Sequence, residues 1–180
     1  RGEIALRVMR TARRMGLACV AVYTEADATS PHAEFADTAI CIGAGPAADS
    51  YLSIGKVIAA AREAGAGAVH PGYGFLSESA EFASACTGVG LIFIGPGAEA
   101  IALMGNKAAA KRRMIAAGVP CVPGYEGEDQ SADVLAAEAD RIGYPVMIKA
   151  AAGGGGRGMR LVEAPAEFAG ALGLAQSAAL

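Results

Sequence analysis

A run of glycines framed by two short apolar segments constrains the fold of this chain more than any other feature. Residues 144–148 lead to Lys149, glycines occupy 153–156, and Arg157 and Gly158 precede a second apolar run, 159–162. Short apolar runs separated by glycines predict two strands joined by a hairpin. Glycine amides can surround phosphate oxygens, and a lysine at a strand end supplies a compact positive charge. We therefore interpret the hairpin as a phosphate-binding loop; the alternative is a flexible surface hairpin.

Two common glycine motifs do not fit this loop. Gly153, Gly155 and Gly158 match the spacing G-x-G-x-x-G, but four glycines in a row satisfy it almost by accident. A dinucleotide-binding motif also requires a helix after the loop, whereas the residues that follow here predict a strand. The P-loop motif requires Lys and then Ser or Thr after its last glycine, and Met159 and Arg160 stand there instead. The sequence therefore argues against a dehydrogenase and against a P-loop NTPase.

Composition excludes several classes of protein. Hydrophobic residues make up 53% and charged residues 18% of the 180 positions, so the chain can bury a core. The net charge of −3 gives no electrostatic basis for binding nucleic acid. No apolar run approaches the roughly 20 residues that span a bilayer, and no signal peptide is visible. We therefore expect a cytoplasmic protein that binds neither nucleic acid nor membranes.

The four cysteines and the chain ends add two further expectations. Cys19, Cys41, Cys86 and Cys121 are scattered without CxxC spacing, so we predict reduced, mostly buried thiols and no metal site. The chain starts at Arg1 on what the pattern predicts to be a helix, and it stops inside another predicted helix. We therefore expect a fragment of a longer protein.

Helical and strand patterns alternate along the chain. We predict helices at 3–15, from Asp49 or Ser50 to about 65, and at 79–87 and 97–103, a helical turn within 31–37, and strands at 17–23, 38–42, 68–70 and 91–94. This alternation predicts an α/β fold with a parallel, doubly wound sheet whose first strand is missing. A second domain is predicted to begin near residue 105, with Asn106 capping a helix at 107–117, Ser131 capping a helix at 132–142, the glycine hairpin, and a last helix opened by Pro165. The predicted domains are residues 1–104 and 105–180.

The segment 70–78, of sequence HPGYGFLSE, follows a predicted strand. Open α/β sheets bind ligands at the carboxyl ends of their strands, so this segment, the 70–78 loop, is a candidate site. The alternative is a simple turn with a half-buried Tyr73. The first helix carries arginines at 7, 10, 13 and 14 on one face. That face is either solvated or part of an interface.

The order of these motifs resembles the biotin carboxylase component of biotin-dependent carboxylases, an ATP-grasp family. The resemblance covers essentially the whole chain. It rests on RGEIA at 1–5, the 70–78 loop, FIGP at 93–96, MGNK at 104–107, GVP at 118–120, and the glycine hairpin from Lys149 to Met159. The loop GYEGEDQ at 124–130 resembles acyl-CoA carboxylase subunits, including those of the methylcrotonyl-CoA type.

This resemblance implies a Rossmann-like pre-ATP-grasp domain followed by the beginning of an ATP-grasp domain. It implies a reaction in which ATP activates bicarbonate as carboxyphosphate and the carboxyl group passes to biotin on a carrier protein. ATP, Mg²⁺ and biotin are the implied cofactors, and a biotin carboxyl carrier, a carboxyltransferase and a second copy of the domain are the implied partners. By the family pattern the ATP-binding residues are Lys107, Lys149, Gly153, Gly154, Gly155, Gly156, Arg157 and Gly158. Tyr73 and Gly74 lie towards the biotin pocket.

The sequence also departs from the family pattern. Asn106 stands where Asp is frequent, and either residue can cap a helix. Ala151 stands where Ser is frequent, which removes a hydroxyl near the phosphates. No catalytic or metal-binding residue is assigned within the 180 residues, so we expect them to be inactive alone. Two alternatives stay open: a nucleotide-binding and dimerisation module without catalysis, and another ATP-grasp ligase of the carbamoyl-phosphate synthetase kind.

Overall fold

A computed structural model describes residues 2–149 and 158–177 of the 180-residue chain. The chain divides into two compact units, residues 1–102 and 103–180. The division falls within the helix Ala98–Gly105. Both units mix helices and strands, as the alternating pattern predicts.

The first unit contains four strands and the helices between them. In chain order they are α1 (Glu3–Arg14), β1 (Val20–Tyr23), α2 (Pro31–Phe35), β2 (Thr38–Cys41), α3 (Ile54–Glu63), β3 (Ala68–Val69), α4 (Ala80–Gly88), β4 (Ile92–Phe93) and α5 (Ala98–Gly105). Strands β1 and β2 pair in parallel from Val20 opposite Thr38, and β3 and β4 pair in parallel from Ala68 opposite Ile92. The parallel pairing is as predicted. Within the described residues, however, the strands form two separate two-stranded sheets.

Two apolar clusters hold the first unit together. Under α1, Met9 packs with Cys19 and Ala21. Between α3, α4 and β4, the ring of Phe82 is 1% exposed and meets the ring of Phe93 edge-on, with centroids 5.9 Å apart. Cys86 in the same cluster is fully buried, and burial raises the pKa of its thiol. This second cluster also contains Leu76 of the 70–78 loop and so fixes that loop to the core.

Two sequence predictions are wrong in detail. Helix α3 begins at Ile54, whereas a start at Asp49 or Ser50 is predicted. Ser50 is completely buried, and its hydroxyl donates to the carbonyl of Pro46 at 2.9 Å, which closes a turn before the helix. The four cysteines are free thiols, but they are less buried than predicted: Cys41 is exposed and Cys121 half-buried.

The second unit contains α6 (Lys107–Ala116), α7 (Ala132–Ile142), β5 (Val146–Ile148), β6 (Arg160–Val162) and α8 (Phe168–Ser177). Strands β5 and β6 are antiparallel, with Met147 opposite Leu161. One face of this hairpin packs on α7 and α8. The core on that face contains Ala139, Val162, Phe168 and Leu172, with Val146 and Ile148 against it. The other face carries the candidate site.

Candidate functional site

Lys149 directly follows β5, and its side chain is exposed. Successive side chains in a strand point to opposite faces. Ile148 packs into the core of the second unit, so Lys149 points to the opposite, outward face. Ile148 therefore anchors the end of β5 in the core, and the charged side chain of Lys149 projects from the next position.

The outward face of the hairpin is apolar and exposed. Met147 is 44% exposed, Leu161 opposite it is 56% exposed, and Met159 beside them is 38% exposed. Together with Lys149 they form a surface, here called the hairpin face, with apolar side chains at one end and a cation at the other. Such a surface suits a ligand with an apolar ring and anionic groups. The sequence pattern indicates only that these apolar residues lie in strands. Their alternation with buried Val162 and with partly buried Val146 and Ile148 is the signal that separates the two faces of the hairpin.

Gly158 returns the chain to β6. It is buried, with a φ of 73°, a left-handed conformation that glycine adopts readily and side-chain-bearing residues adopt at a cost. It lies two residues before Arg160, which pairs with Ile148. The segments that carry Lys149 and Gly158 therefore leave the paired strands β5 and β6 next to each other. Gly153, Gly154, Gly155, Gly156 and Arg157 lie outside the described residues.

Lys107 is the first residue of α6, and its side chain is exposed. Asn106 precedes it in extended conformation, and its Oδ1 accepts a hydrogen bond from the N–H of Ala109 at 3.0 Å. This confirms the predicted helix cap. A helix amino terminus carries partial positive charge, which adds to the lysine charge and favours anions near this end of the second unit.

The 70–78 loop lies at the carboxyl end of β3. Tyr73 is 73% exposed, and Gly74 has φ 69° and ψ −167°, a conformation open essentially to glycine alone. His70 closes the first turn, where its Nδ1 accepts from the N–H of Gly72 at 3.0 Å. Tyr73 and Gly74 are therefore presented at the surface of the first unit, while Leu76 holds the loop in the core.

A hydrogen-bonded cluster in the first unit went unrecognised in the sequence. The hydroxyl of Tyr51 donates to Oδ2 of Asp27 at 2.7 Å and accepts from the N–H of Thr24 at 3.0 Å. The same Oδ2 accepts from the hydroxyl of Thr24, which is 1% exposed, at 2.8 Å. Burial and the Asp27 carboxylate raise the pKa of Tyr51. Residues 24–30 look like a polar turn in the sequence; the threonine and aspartate three residues apart, directly after a strand, are the signal that could have found the cluster.

No group of three or more His, Cys, Asp or Glu able to hold a metal ion occurs among residues 2–149 and 158–177. The same described part of the chain contains no helix with the length and hydropathy to cross a membrane; α1, with 12 residues, is its longest helix. The site residues that the structure describes are therefore two exposed lysines, one glycine of the hairpin and the surface residues of the 70–78 loop.

Comparison with known families accounts for almost all of the chain. Residues 1–101 match the family model described as biotin carboxylase, N-terminal domain, and residues 106–180 match carbamoyl-phosphate synthase L chain, ATP binding domain. The first match covers more than half of the chain. The chain belongs to the biotin carboxylase family.

Individual biotin carboxylases and their relatives agree with this assignment. The mitochondrial methylcrotonoyl-CoA carboxylase subunit alpha of Glycine max is 60% identical over 168 residues, which are 93% of this chain and 23% of that protein. A crystal structure of the Campylobacter jejuni biotin carboxylase–βγ-ATP complex shares 49% identity, with a TM-score of 0.93, over 99% of this chain and 40% of that one. The biotin carboxylase domain dimer of Hydrogenobacter thermophilus 2-oxoglutarate carboxylase, bound to MgADP, ADP and bicarbonate, shares 44% identity with a TM-score of 0.88, over 99% of this chain and 40% of that one. This chain thus spans about a quarter of its soybean relative.

Proposed function

We propose that this chain is the amino-terminal part of a biotin carboxylase, which uses ATP and bicarbonate to carboxylate biotin on a carrier protein through carboxyphosphate. The observation that carries the proposal is the hairpin face, where Lys149 directly follows β5 and lies beside exposed Met147 and Leu161. The two successive family matches support it, because they join a biotin carboxylase domain to an ATP-binding domain in one chain.

The hairpin face suits ATP. The exposed side chains of Met147, Leu161 and Met159 offer an apolar surface for the adenine ring, and Lys149 at its edge offers a charge for the phosphates. Phosphoryl transfer depends mainly on positioning and on neutralising phosphate charge, which lysines and backbone amides supply. Lys107, at the positive end of α6, is proposed as a second phosphate ligand. Gly158 and residues 153–157 are proposed as the cover over the nucleotide.

We place the biotin side of the reaction at the 70–78 loop. Tyr73 and Gly74 stand at its exposed surface, where a carrier-bound biotin could reach them. Magnesium, when bound with ATP, would neutralise the charge of its phosphates. No magnesium ligand is assigned within the described residues, because no three candidate ligands meet there.

The partners and compartment follow the same proposal. A biotin carboxyl carrier and a carboxyltransferase are required by the chemistry, and the Hydrogenobacter relative supports a homodimer because it was crystallised as one. The similarity to the soybean subunit supports an acyl-CoA carboxylase of the methylcrotonoyl-CoA type. We propose a cytoplasmic location, although that relative is mitochondrial. We further propose that the 180 residues alone do not catalyse the reaction, since biotin carboxylases are much longer.

A second candidate function is a carbamoyl-phosphate synthetase-like ligase. The match of residues 106–180 to the carbamoyl-phosphate synthase ATP-binding domain favours it. The match of residues 1–101 to the biotin carboxylase amino-terminal domain favours biotin as the acceptor. The two candidates differ in whether ATP cleavage depends on biotin.

The test is ATP cleavage by the complete protein that contains this chain, with bicarbonate, with and without free biotin. We expect cleavage that requires bicarbonate and is stimulated by biotin. Lys149→Ala should lower turnover by roughly 100-fold, as loss of a charge-stabilising group does. Lys56→Ala, which alters an exposed lysine of the first unit, is the matched control and should leave turnover unchanged. Cleavage without any response to biotin, or full activity in Lys149→Ala, would contradict the proposal.

A further inference from the structure

The ring of Phe75 in the 70–78 loop is held by a residue far away in the sequence. The rings of Tyr51 and Phe75 stack, with centroids 5.9 Å apart and planes 13° from parallel. Phe75 is nevertheless 53% exposed, so the buried core does not determine where its ring lies. The stacking on Tyr51 therefore restrains that ring.

The backbone at Phe75 also needs such a restraint. Its φ of 49° is the one positive φ among the described non-glycine residues. This conformation is unfavourable for a bulky side chain and persists where the surroundings enforce it. The neighbouring residues help to hold Phe75 in this backbone conformation. Gly74 before it has an unusual conformation itself, and Leu76 after it is buried. The stacking on Tyr51 acts at the strained residue itself.

Tyr51 is in turn fixed by the turn that follows β1. Its hydroxyl is held at two points, by the carboxylate of Asp27 and by the N–H of Thr24. Oδ2 of Asp27 also accepts from Thr24, whose side chain is buried, so the carboxylate cannot rotate away without losing two hydrogen bonds. A chain of contacts thus leads from the carboxyl end of β1 through Tyr51 to the loop at the carboxyl end of β3.

We propose that Tyr51, oriented by Asp27 and Thr24, is a positioning residue that sets the conformation of the 70–78 loop and thereby the placement of Tyr73 and Gly74 for biotin. The part that concerns biotin rests on the proposed function, whereas the part that concerns loop conformation does not. Tyr51 itself does not touch the reacting atoms.

The experiment compares Tyr51→Phe and Tyr51→Leu in the complete enzyme, with free biotin as acceptor. Tyr51→Phe keeps the ring but loses both hydrogen bonds of the hydroxyl, and we expect the KM for biotin to rise about threefold. Tyr51→Leu also loses the stacking, and we expect a rise of about tenfold. The KM for ATP should stay within about twofold in both, because neither variant alters a residue that is proposed to bind ATP.

Met9→Ala is the matched control, because it removes a buried side chain from the other core cluster of the same unit, that with Cys19 and Ala21. It should lower the melting temperature without changing the KM for biotin. If Met9→Ala and Tyr51→Leu raise that KM equally at equal loss of stability, Tyr51 is only structural and the proposal fails. It also fails if Tyr51→Leu leaves that KM unchanged.

Amide hydrogen exchange separates this proposal from the proposed function. Exchange of the amides in residues 72–78 should be faster in Tyr51→Leu than in Met9→Ala, whether or not the enzyme uses biotin. Unchanged exchange in Tyr51→Leu overturns the positioning role. Faster exchange in an enzyme that shows no response to biotin supports the positioning role and refutes the biotin carboxylase activity instead.

Discussion

The side chain of Asn106 accepts a hydrogen bond from the backbone N–H of Ala109, and this contact starts the helix that presents Lys107. The cap therefore links the stability of α6 to the position of a proposed phosphate ligand. A carboxylate at position 106 could make the same hydrogen bond, and it would add a charge that a helix amino terminus favours.

We predict that Asn106→Ala lowers the free energy of unfolding by about 1 kcal/mol, the usual effect of losing a helix cap. Asn106→Asp should change it by less than about 0.5 kcal/mol, because Asp and Asn cap about equally well. Urea unfolding measures both variants, and the KM for ATP shows whether the cap also positions Lys107. A loss in Asn106→Asp equal to that in Asn106→Ala would show that the hydrogen bond to Ala109 is not what stabilises this end of the helix.

The hairpin face gives a second prediction. Met147→Gln should weaken ATP binding by roughly 3- to 10-fold, since it replaces an apolar contact with a polar group. The unfolding free energy should change by no more than about 0.5 kcal/mol, because Met147 is already 44% exposed.

Leu174→Gln is the matched control for this face. Leu174 is a 60% exposed apolar residue on α8 of the same unit, so its replacement tests for a nonspecific effect of lost apolar surface. Isothermal titration of ATP into the complete protein measures both variants. If Met147→Gln and the unaltered protein bind ATP with equal affinity, the adenine ring does not bind on the hairpin face.

The sequence predicts the parts of this fold that depend on local pattern. The alternation of strands and helices is sufficient to predict the parallel pairs β1–β2 and β3–β4. The apolar runs on either side of the glycines are sufficient to predict the antiparallel hairpin. The cap at Asn106 follows from residue type alone. Ser131 occupies the predicted N-cap position of the helix at 132–142, but its hydroxyl makes no capping bond. The carboxylate of Asp129 accepts from the N–H of Ser131 at 2.9 Å.

The candidate site is predicted less completely, because its geometry depends on contacts between distant residues. Lys149, Lys107 and Tyr73 stand out by motif, but their proposed roles come from the family resemblance and stay predictions. The stacking of Tyr51 on Phe75 joins residues 24 positions apart, and no local pattern indicates it. Tyr51 even looks like a helical residue in the sequence, since it begins the apolar series that continues into α3.

Asp37 gives a prediction about pH. Its carboxylate accepts from the N–H of Cys19 at 2.8 Å and from Arg13 at 3.0 Å. The hydrogen bond from Cys19 is the largest cause that lowers the pKa of Asp37 below its ordinary value of 3.8. Desolvation opposes it, and the charge of Arg13 and its hydrogen bond lower the pKa further. The folded state therefore holds this proton less tightly than the unfolded state does. The resulting stabilisation is present above pH 3.8 and is lost as the pH falls through the lower pKa of the folded state.

We expect Asp37→Asn to be less stable than the unaltered protein by a constant amount at neutral pH. The difference should shrink as the pH falls below 3.8, because the aspartate becomes neutral too. Unfolding by urea at a series of pH values measures this difference, and Asp49→Asn, at an exposed aspartate of the same unit, is the control. A difference that persists undiminished in acid would mean that packing, and not charge, accounts for the effect of Asp37.

Gly74 gives the last prediction, which separates backbone strain from steric clash. A Cβ added at Gly74 would meet no atom within 4 Å, so Gly74→Ala has room, but its φ of 69° with ψ of −167° is open essentially to glycine alone. We predict a loss of stability of about 1–3 kcal/mol, or a local change of the loop that relieves the strain and raises the KM for biotin. Gly67→Ala is the matched control: its added Cβ also meets nothing within 4 Å, and its φ is not in the left-handed region. Melting temperature and the KM for biotin, measured on both variants, test this prediction. If the two variants behave alike, the conformation of Gly74 does not constrain the loop.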